Sequence, residues 1–288
     1  MTCEQIMPVE RQYLAVYQEY CRRGEEIASR SKCAIVSIAR NAMPHLEKTL
    51  ALVEQTAMMF QAATYYVYEN DSTDSTPMVL DEFAASRPWM TVEHETLGEP
   101  DTRGFEEDRT VRLARCRSRC QSWVERHAND ATFVLVLDVD PHGGFSPTGI
   151  LNSVGWMASH GDAAGMASYS LFVRRDEMGQ TSIAHYDAWA ARLNFWEDRR
   201  DCTGGMLWAH MMMPPVGSPP IPLYSAFGGA CLYRASAFRR GVYDGIGVNG
   251  VPDCEHVSFH RSMRRHGWAM YLNPSSRYVA ILPGGGEE

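Results

Sequence analysis

Two carboxylates, Asp138 and Asp140, stand one residue apart at the end of an apolar run in a sequence of 288 residues. The run covers residues 133–137. It is rich in β-branched types and too short for an ordinary helix, which predicts a strand buried on both faces. In open α/β sheets, ligands bind at the carboxyl ends of strands. Two acids there repel each other unless a cation or a hydrogen-bond network lies between them. The pair therefore predicts a site for a hard divalent cation, bound partly through the phosphates of a substrate.

A helical segment with five arginines in its first three turns leads directly into this strand. It covers residues 109–127, and Arg112, Arg115 and Arg119 share one of its faces at i, i+3, i+7 spacing. The row can be a solvated basic face, or one or two of its side chains can reach phosphates held near the two aspartates. Because the helix runs into the acidic strand, the sequence favours the second interpretation.

Two earlier strands also end in polar side chains. Residues 33–39 run into Arg40, and residues 64–68 run into Glu69 and Asp71, with a helix expected after each loop. Alternation of strands and helices predicts an α/β fold with a parallel, doubly wound sheet. Loops that only cap helices would look similar, so the two strand ends support the candidate site without establishing it.

A third candidate group follows the acidic strand, at Asp187, Trp189 and Arg192. An indole offers a flat apolar face, and a carboxylate with a guanidinium offers hydrogen bonds. A sugar needs both, because its C–H face stacks on aromatic rings while its hydroxyls require donors and acceptors. The alternative is that Trp189 packs in the core.

The last candidate group is Asp253, Glu255 and His256, in the first turn of a helix that Gly267 ends. These residues suit acid–base chemistry or metal binding. The N-terminal dipole of a helix also favours acids, so helix capping is the alternative interpretation.

Composition excludes several classes of protein. The chain is 45% hydrophobic and 22% charged, as in an ordinary globular protein. A net charge of −8 argues against a broad nucleic-acid-binding surface. No apolar stretch approaches the roughly 20 residues of a membrane span, and the N-terminus has no signal pattern. The eight cysteines form no CxxC pair, so reduced thiols and a cytoplasmic location are expected.

The remaining segments are expected to support the site. Residues 8–30 have the pattern of a packing helix, which places an N-terminal helix at residues 1–32, outside the catalytic part. Residues 97–108 predict a mobile loop, and residues 201–222 predict a long loop beside the site. A disordered tail is expected at residues 284–288.

Together these segments resemble GT-A-type nucleotide-sugar glycosyltransferases, and they are similar to the fungal capsule-associated and mannan-synthesising mannosyltransferases. The matching stretches occur in the expected order, at residues 38–41, 68–74, 138–140, 187–192 and 253–256. The resemblance implies a GT-A, Rossmann-like fold with a mostly parallel central sheet flanked by helices. It implies one domain over residues 33–288, with a nucleotide-binding half at 33–145 and an acceptor-side half at 146–288.

The resemblance also implies roles for single residues. Such enzymes bind a UDP- or GDP-linked sugar with Mn²⁺ or Mg²⁺ and transfer the sugar to a glycan or another hydroxyl acceptor. The metal would be bound by Asp140, by Asp138, which can also touch the ribose, and by His256. The nucleotide side comprises Arg40, Glu69 and Asp71 near base and ribose, and Arg112 or Arg115 on a phosphate. The substrate side comprises Asp187, Trp189 and Arg192, and the catalytic set comprises Glu255 and Asp253.

The role of Glu255 depends on stereochemistry. It would be the general base on the acceptor hydroxyl in an inverting enzyme, and it would orient the acceptor or sugar in a retaining one. The fungal proteins are anchored in the Golgi membrane, and this sequence has no anchor. A cytoplasmic enzyme that builds a bacterial or viral glycan is therefore expected.

Other enzyme classes also use an Asp-x-Asp strand end. In HAD-type phosphatases the first Asp is the nucleophile, but their motif stands early in the chain and has partners that this sequence lacks. Sugar nucleotidyltransferases open with a Gly-rich loop, whereas residues 33–41 contain no glycine. A carbohydrate-binding module without activity is a further alternative, although both aspartates are intact.

Overall fold

The computed structural model describes residues 2–100, 107–175, 181–195 and 212–281, except for the side chains of residues 173–175, 181–184 and 281. The strands are β1 (Lys32–Ala39), β2 (Ala62–Asn70), β3 (Met90–Glu95), β4 (Phe133–Leu137), β5 (Gly144–Phe145), β6 (Ala163–Arg175), β7 (Thr181–Ala184), β8 (Ile221–Leu223), β9 (Ala230–Arg234) and β10 (Ala269–Ile281). The helices are α1 (Cys3–Ile6), α2 (Leu14–Ala28), α3 (Leu46–Ala57), α4 (Thr76–Ala84), α5 (Glu107–His127), α6 (Pro147–Ser159), α7 (Ala235–Phe238) and α8 (Glu255–Arg264).

All strands of the described residues belong to one sheet with the order β3-β2-β1-β4-β9-β6-β10-β5, with β7 beside β6 and β8 beside β10. Strands β3, β2, β1 and β4 are parallel neighbours. Strand β9 is antiparallel to both β4 and β6, so β6 and its parallel neighbour β10 run in the same direction as β4. The expected mostly parallel α/β sheet is confirmed. The antiparallel β9 in its middle was not predicted.

Strand β4 lies near the centre of the sheet, and its side chains enter two cores on opposite faces. Phe133, Leu135 and Leu137 join one core with residues of α3, α4 and α6. Val134 and Val136 join the other core with residues of α5, α7 and α8. Burial on both faces is therefore confirmed, and helices cover the two faces as an α/β layer architecture requires.

The carboxyl ends of β1, β2 and β4 meet at one edge of the sheet because these strands are parallel. Strand β9 begins at the same edge, since Ala230 pairs with Leu137. The turn into β9 contains Gly228 and Gly229, with φ of +69° and +77°. A Cβ on Gly228 would lie 2.0 Å from the carbonyl oxygen of Ser168, so the turn can approach β6 this closely only because this position is glycine.

The N-terminal helix α2 packs directly on α6, a helix that the sequence pattern did not predict. A Cβ on Gly24 would lie 1.8 Å from the carbonyl oxygen of Leu151, and one on Gly155 would lie 2.0 Å from that of Tyr20. The two backbones can approach this closely only because both positions are glycine. The buried guanidinium of Arg277 in β10 also donates to the Met7 carbonyl at 2.9 Å, which ties the N-terminal segment to the sheet.

Some predicted segments lie partly or wholly outside the described residues. These are residues 101–106 of the loop at 97–108, residues 201–211 of the loop at 201–222, and the tail at 284–288. Within the part of the chain that the structure describes, no helix combines the length and apolar character needed to cross a bilayer.

Candidate functional site

A pocket of about 740 Å³ opens at the carboxyl edge of the sheet, where β1, β4 and the start of α8 meet. Its floor is formed by the ends of β1 and β4, and one wall comes from the first half of α5. Charged side chains from five separate segments line it: Arg40, Arg109, Arg112, Arg117, Asp138, Asp140, Asp187 and Glu255. The predicted nucleotide strand end, acidic strand end, aromatic segment and helix start therefore all contribute residues to one cavity.

Asp138 and Asp140 follow β4 directly and face into this pocket. The backbone N–H of Asp138 donates to the carbonyl of Gly229 at 2.8 Å, which fixes the end of the strand. Burial raises the pKa of Asp138 to about 6; Arg117 opposes the rise, and Asp140 adds to it. Desolvation by the surrounding pocket also raises the pKa of Asp140, although this residue is exposed to solvent. The site thus holds two carboxylates whose charges are costly without additional positive charge.

Arg117 bridges the acidic strand end and the start of α8. Its Nη2 donates to Asp138 Oδ1 at 2.9 Å, and its Nε donates to Glu255 Oε1 at 2.7 Å. Its guanidinium carbon lies 4.8 Å from the centre of the Phe227 ring, within the range of a cation–π contact. Arg117 and Glu255 are only 5% and 3% exposed. One cation therefore connects two of the predicted acids inside the protein.

Arg117 was not predicted as a site residue, although the sequence contains a signal for it. The prediction rested on the helix face that contains Arg112 and Arg115. Arg117 instead lies three and seven residues before Cys120 and Val124, on the face that packs against the sheet. An arginine inside an apolar helical stripe is buried, and a buried charge needs a partner. That combination marks Arg117 as an arginine of α5 that needs a partner inside the protein, and the structure provides two carboxylates.

The other arginines of α5 have different surroundings. Arg109 and Arg112 line the pocket, and Arg112 donates to the carbonyl of Pro100 at 2.6 Å. Arg115 does not line it; its half-exposed side chain pairs with Glu99 at 2.7 Å. Arg119 pairs with Glu93 at the surface. Of the two arginines expected on a phosphate, the structure brings Arg112 to the pocket.

His256 lies beside Glu255 at the start of α8. Its ring stacks on Phe227 with 3.8 Å between centroids, and its Nε2 lies 3.5 Å from Glu255 Oε1. The side chain is 2% exposed, and neither ring nitrogen has a hydrogen-bond partner among the described residues. Burial, with the nearby Arg117, lowers the pKa of His256 well below its ordinary value. The imidazole is therefore neutral and can donate at one nitrogen and accept at the other.

Asp253 and Arg192 pair with each other. Arg192 Nη2 donates to Asp253 Oδ1 at 2.8 Å, both residues are buried, and neither lines the pocket. Asp253 Oδ1 also accepts from the backbone N–H of Cys254 at 2.8 Å. These contacts join the segment after β7 to the start of α8. The pair thus fixes the segment that directly precedes Glu255. Contact of either residue with a substrate stays a prediction.

Asp187 and Trp189 do line the pocket. Asp187 accepts from the backbone N–H groups of Gly228 at 3.1 Å and Ala190 at 3.3 Å. Burial raises the pKa of Asp187 to about 7, and the charges of Asp138 and Glu255 contribute to the rise. Trp189 is largely buried and joins the core cluster as well as the pocket wall. Both predicted roles of Trp189, packing and substrate contact, are compatible with this position.

The residues after β1 and β2 are only partly in the pocket. Arg40 lines it and lies with its Nη1 4.0 Å from Asp71 Oδ2. Despite its burial, the pKa of Asp71 is lowered by hydrogen bonds, including the N–H groups of Gly98 and Leu97 at 2.9 Å. Glu69 pairs with His94 at 2.8 Å. Glu69 and Asp71 do not line the pocket, so their contact with a nucleotide stays a prediction.

The predicted metal ligands are distributed over two parts of the pocket. Asp138 and Asp140 lie together at the end of β4, whereas His256 lies against Phe227 and Glu255. Among the described residues, no three His, Cys, Asp or Glu side chains come together as a metal-ligand group. At the end of β4 the described residues thus offer an acidic pair, and ligation of a cation by His256 stays a prediction.

Comparison by sequence identified no relatives. No family model matches the chain. No curated protein matches it either.

Comparison with solved structures identified the fold. The mannosyltransferase PcManGT from Pyrobaculum calidifontis, in complex with GDP-Man and Mn²⁺, is similar with a TM-score of 0.51 and 14% identity, over 95% of this chain and 67% of that chain. GalNAc-T7 with UDP, GalNAc and Mn²⁺ is similar with a TM-score of 0.53 and 13% identity, over 88% and 44%. S. aureus TarS 1-349 in complex with UDP has a TM-score of 0.50 and 11% identity, over 87% and 60%.

These three proteins share the GT-A fold, so the predicted fold class is confirmed. The chain spans less than half of the GalNAc-T7 chain and about two thirds of the mannosyltransferase chain. The identities of 11–14% show a common architecture and do not transfer an activity.

Proposed function

We propose that this protein is a metal-dependent glycosyltransferase, which transfers a sugar from a nucleotide-diphosphate sugar to a hydroxyl group of an acceptor. The observation that carries the proposal is the pair Asp138 and Asp140, which stands at a strand end in a pocket that also contains arginines. The fold supports it, because similar structures contain GDP-Man or UDP together with Mn²⁺.

The donor set fits a hard divalent cation. Two carboxylates with raised pKa values offer oxygen ligands and are short of positive charge, since Arg117 is shared with Glu255. Mg²⁺ and Mn²⁺ accept two protein carboxylates and take further oxygen ligands from phosphates and water. Asp138 and Asp140 would hold the ion, and His256 is a further proposed ligand. When bound, such an ion neutralises negative charge that develops on the leaving nucleoside diphosphate.

The nucleotide would lie along the ends of β1 and β2. Arg109 and Arg112 line the pocket and suit a diphosphate, because guanidinium groups bind phosphate oxygens with paired hydrogen bonds. Arg40 stands at the end of β1 beside Asp71, which supports a place for base and ribose near Arg40, Glu69 and Asp71. Arg115 would join the phosphates only if it left Glu99.

The sugar and acceptor would lie on the side of Asp187, Trp189 and Glu255. Trp189 offers an aromatic wall, and Asp187 offers a half-buried carboxylate for a hydroxyl. Glu255 would accept the proton of the acceptor hydroxyl if configuration is inverted, and would orient the sugar or acceptor if it is retained. Asp253 and Arg192 would hold the start of α8 in place through their 2.8 Å ion pair.

The finer parts of the proposal rest on the sequence resemblance. The donor would be a mannosyl or other hexosyl group linked to GDP or UDP, and the acceptor would be a glycan. The enzyme would act in polysaccharide synthesis and in the cytoplasm. The likeness to fungal capsule-associated and mannan mannosyltransferases belongs to the same group of predictions.

The proposal is tested by thermal unfolding in the presence of Mn²⁺ and GDP or UDP, singly and combined. A ligand that binds only the native state raises the melting temperature. We expect a clear rise that needs both the metal and one nucleotide. Absence of a rise, together with phosphate-ester hydrolysis that is lost in Asp138→Asn, would instead support a phosphatase.

A further inference from the structure

Arg117 is the only cation within hydrogen-bond distance of both Asp138 and Glu255 among the described residues. We propose that Arg117 is a positioning residue that couples metal binding at Asp138 to the placement of Glu255. The inference rests on the proposed function, because it assigns Asp138 to a metal and Glu255 to the transfer step.

Charge sharing is the first step of the argument. A buried guanidinium needs acidic partners, and Arg117 divides its donors between two carboxylates. Its Nη2 engages Oδ1 of Asp138, and its Nε engages Oε1 of Glu255 at the shorter distance of 2.7 Å. Because Arg117 also pairs with Glu255, it neutralises the negative charge of Asp138 only in part. A divalent cation can neutralise the remainder.

Competition is the second step. A metal ion and a guanidinium compete for the same carboxylate, so metal binding at Asp138 shifts Arg117 toward Glu255. A stronger pair with Arg117 fixes the Glu255 carboxylate on the acceptor side. Coupling of two sites through one group is reciprocal, so a change at Glu255 must change the affinity of Asp138 for the metal.

The geometry around Arg117 restricts the movement of its guanidinium group. The Phe227 ring lies 4.8 Å from the guanidinium carbon and stacks on His256 at 3.8 Å, so the planar group is held on an aromatic surface. The N-cap residue of α8, Cys254, makes no side-chain capping bond, and Glu255 is engaged by Arg117 through its side chain. The ion pair is thus directed to the pocket and not to the helix backbone.

The experiment measures the Mn²⁺ concentration that gives half of the GDP- or UDP-dependent thermal shift. The variants are Arg117→Lys, Glu255→Gln and the double variant. Lysine retains the charge but cannot bridge two carboxylates with a planar fork. The matched control is Arg87→Lys, which removes a bidentate arginine–glutamate pair with Glu54 outside the pocket.

We expect the Mn²⁺ midpoint to rise at least about fivefold in each single variant, because a cation no longer shared with Glu255 competes with the metal at Asp138. The double variant should resemble the single variants, and the control should resemble the unmodified protein. Multiplied effects in the double variant, or an unchanged midpoint in Arg117→Lys, would overturn the inference.

If Arg117→Lys does not fold, a charge-matched variant replaces it. Arg117→Gln combined with Glu255→Gln removes one charge of each sign. Because the competing cation is gone, its Mn²⁺ midpoint should fall below that of Glu255→Gln alone; an equal or higher midpoint would contradict the coupling. If the unmodified protein shows no metal-dependent shift with either nucleotide, the proposed function itself fails. A normal shift without coupling refutes only the role of Arg117.

Discussion

The backbone N–H of Asp138 donates to the carbonyl of Gly229 at 2.8 Å, so the acidic end of β4 is fixed by the turn into the antiparallel strand β9. The anchor uses main-chain atoms and a glycine pair with positive φ. The end of β4 is therefore held by main-chain atoms, and it presents the carboxylates of Asp138 and Asp140 to the pocket. We expect this strand end to keep its place when the carboxylate of Asp140 is replaced.

Replacement of Asp140 should separate binding from folding. In Asp140→Asn we expect the melting temperature without ligand to be kept or raised, because a carboxyl with a raised pKa beside a second carboxyl is removed. The rise caused by Mn²⁺ with nucleotide should disappear. Asp130→Asn is the control, since Asp130 forms a surface ion pair with Lys32. Ligand-dependent stabilisation that survives in Asp140→Asn would place the metal elsewhere.

Replacement of Glu255 should affect transfer more than donor binding. With saturating Mn²⁺, Glu255→Gln is expected to lower the turnover number by about 10²–10⁴-fold, the usual contribution of a general acid or base. Donor affinity should change far less, since the arginines of the nucleotide side are intact. The check is a comparison of kcat with KM for the donor. Equal losses in both would make Glu255 a structural residue of α8.

Metal binding should become stronger as pH rises. The pKa of Asp138 is raised to about 6 and that of Asp187 to about 7, mainly by burial. Protonation of these groups therefore stabilises the fold, and their contribution is fully present below their ordinary pKa and lost as pH rises through about 6 to 7. A cation favours the ionised forms, so the Mn²⁺-dependent thermal shift should grow between about pH 5.5 and about pH 7.5.

Comparison with Asp138→Asn isolates the contribution of Asp138 to the pH dependence of the thermal shift. Burial lowers the pKa values of His256 and His260, so their contribution to the stability of the fold is lost on acidification. This effect has the opposite sign to that of Asp138 and Asp187. Both histidines are present in the variant, so the difference between the two proteins reports Asp138. A thermal shift that is independent of pH in the unmodified protein would contradict the assignment.

The contact between α2 and α6 should be sensitive to a single methyl group. In Gly24→Ala the new Cβ would overlap the Leu151 carbonyl oxygen, so the helices must separate. We expect a loss of about 1–3 kcal/mol in the free energy of unfolding, measured by denaturant titration. Gly161→Ala is the control, because nothing lies within 4 Å of its Cβ position. Equal stability of both variants would show that α2 does not pack tightly on the domain.

The sequence predicted those features that depend on neighbouring residues. The run from Phe133 to the two aspartates contains its own signal, because five apolar residues followed by acids and a turn suit one kind of strand end. The parallel order of β1, β2 and β4 follows from alternating strands and helices. Asp187, Glu255 and Arg112 were recognised by residue type, and the structure brings them to the same pocket as Asp138.

Features that depend on contacts distant in sequence were not predicted. The pair of Arg192 with Asp253 joins residues 61 positions apart, and the bridge from Arg117 to Glu255 joins residues 138 positions apart. The placement of β9 between β4 and β6 likewise depends on pairing across the sheet. Such contacts leave at most an indirect trace in the sequence, such as a charged residue within an apolar helical stripe.

The central claim is most directly tested by a screen of nucleotide sugars, UDP- and GDP-linked, for metal-dependent release of the nucleoside diphosphate with and without acceptor glycans. We predict that one donor is consumed only with Mn²⁺ or Mg²⁺, that Asp140→Asn abolishes its consumption, and that an acceptor accelerates it. Metal-independent consumption, or no consumption of any donor by a folded protein that hydrolyses phosphate esters, would contradict the account.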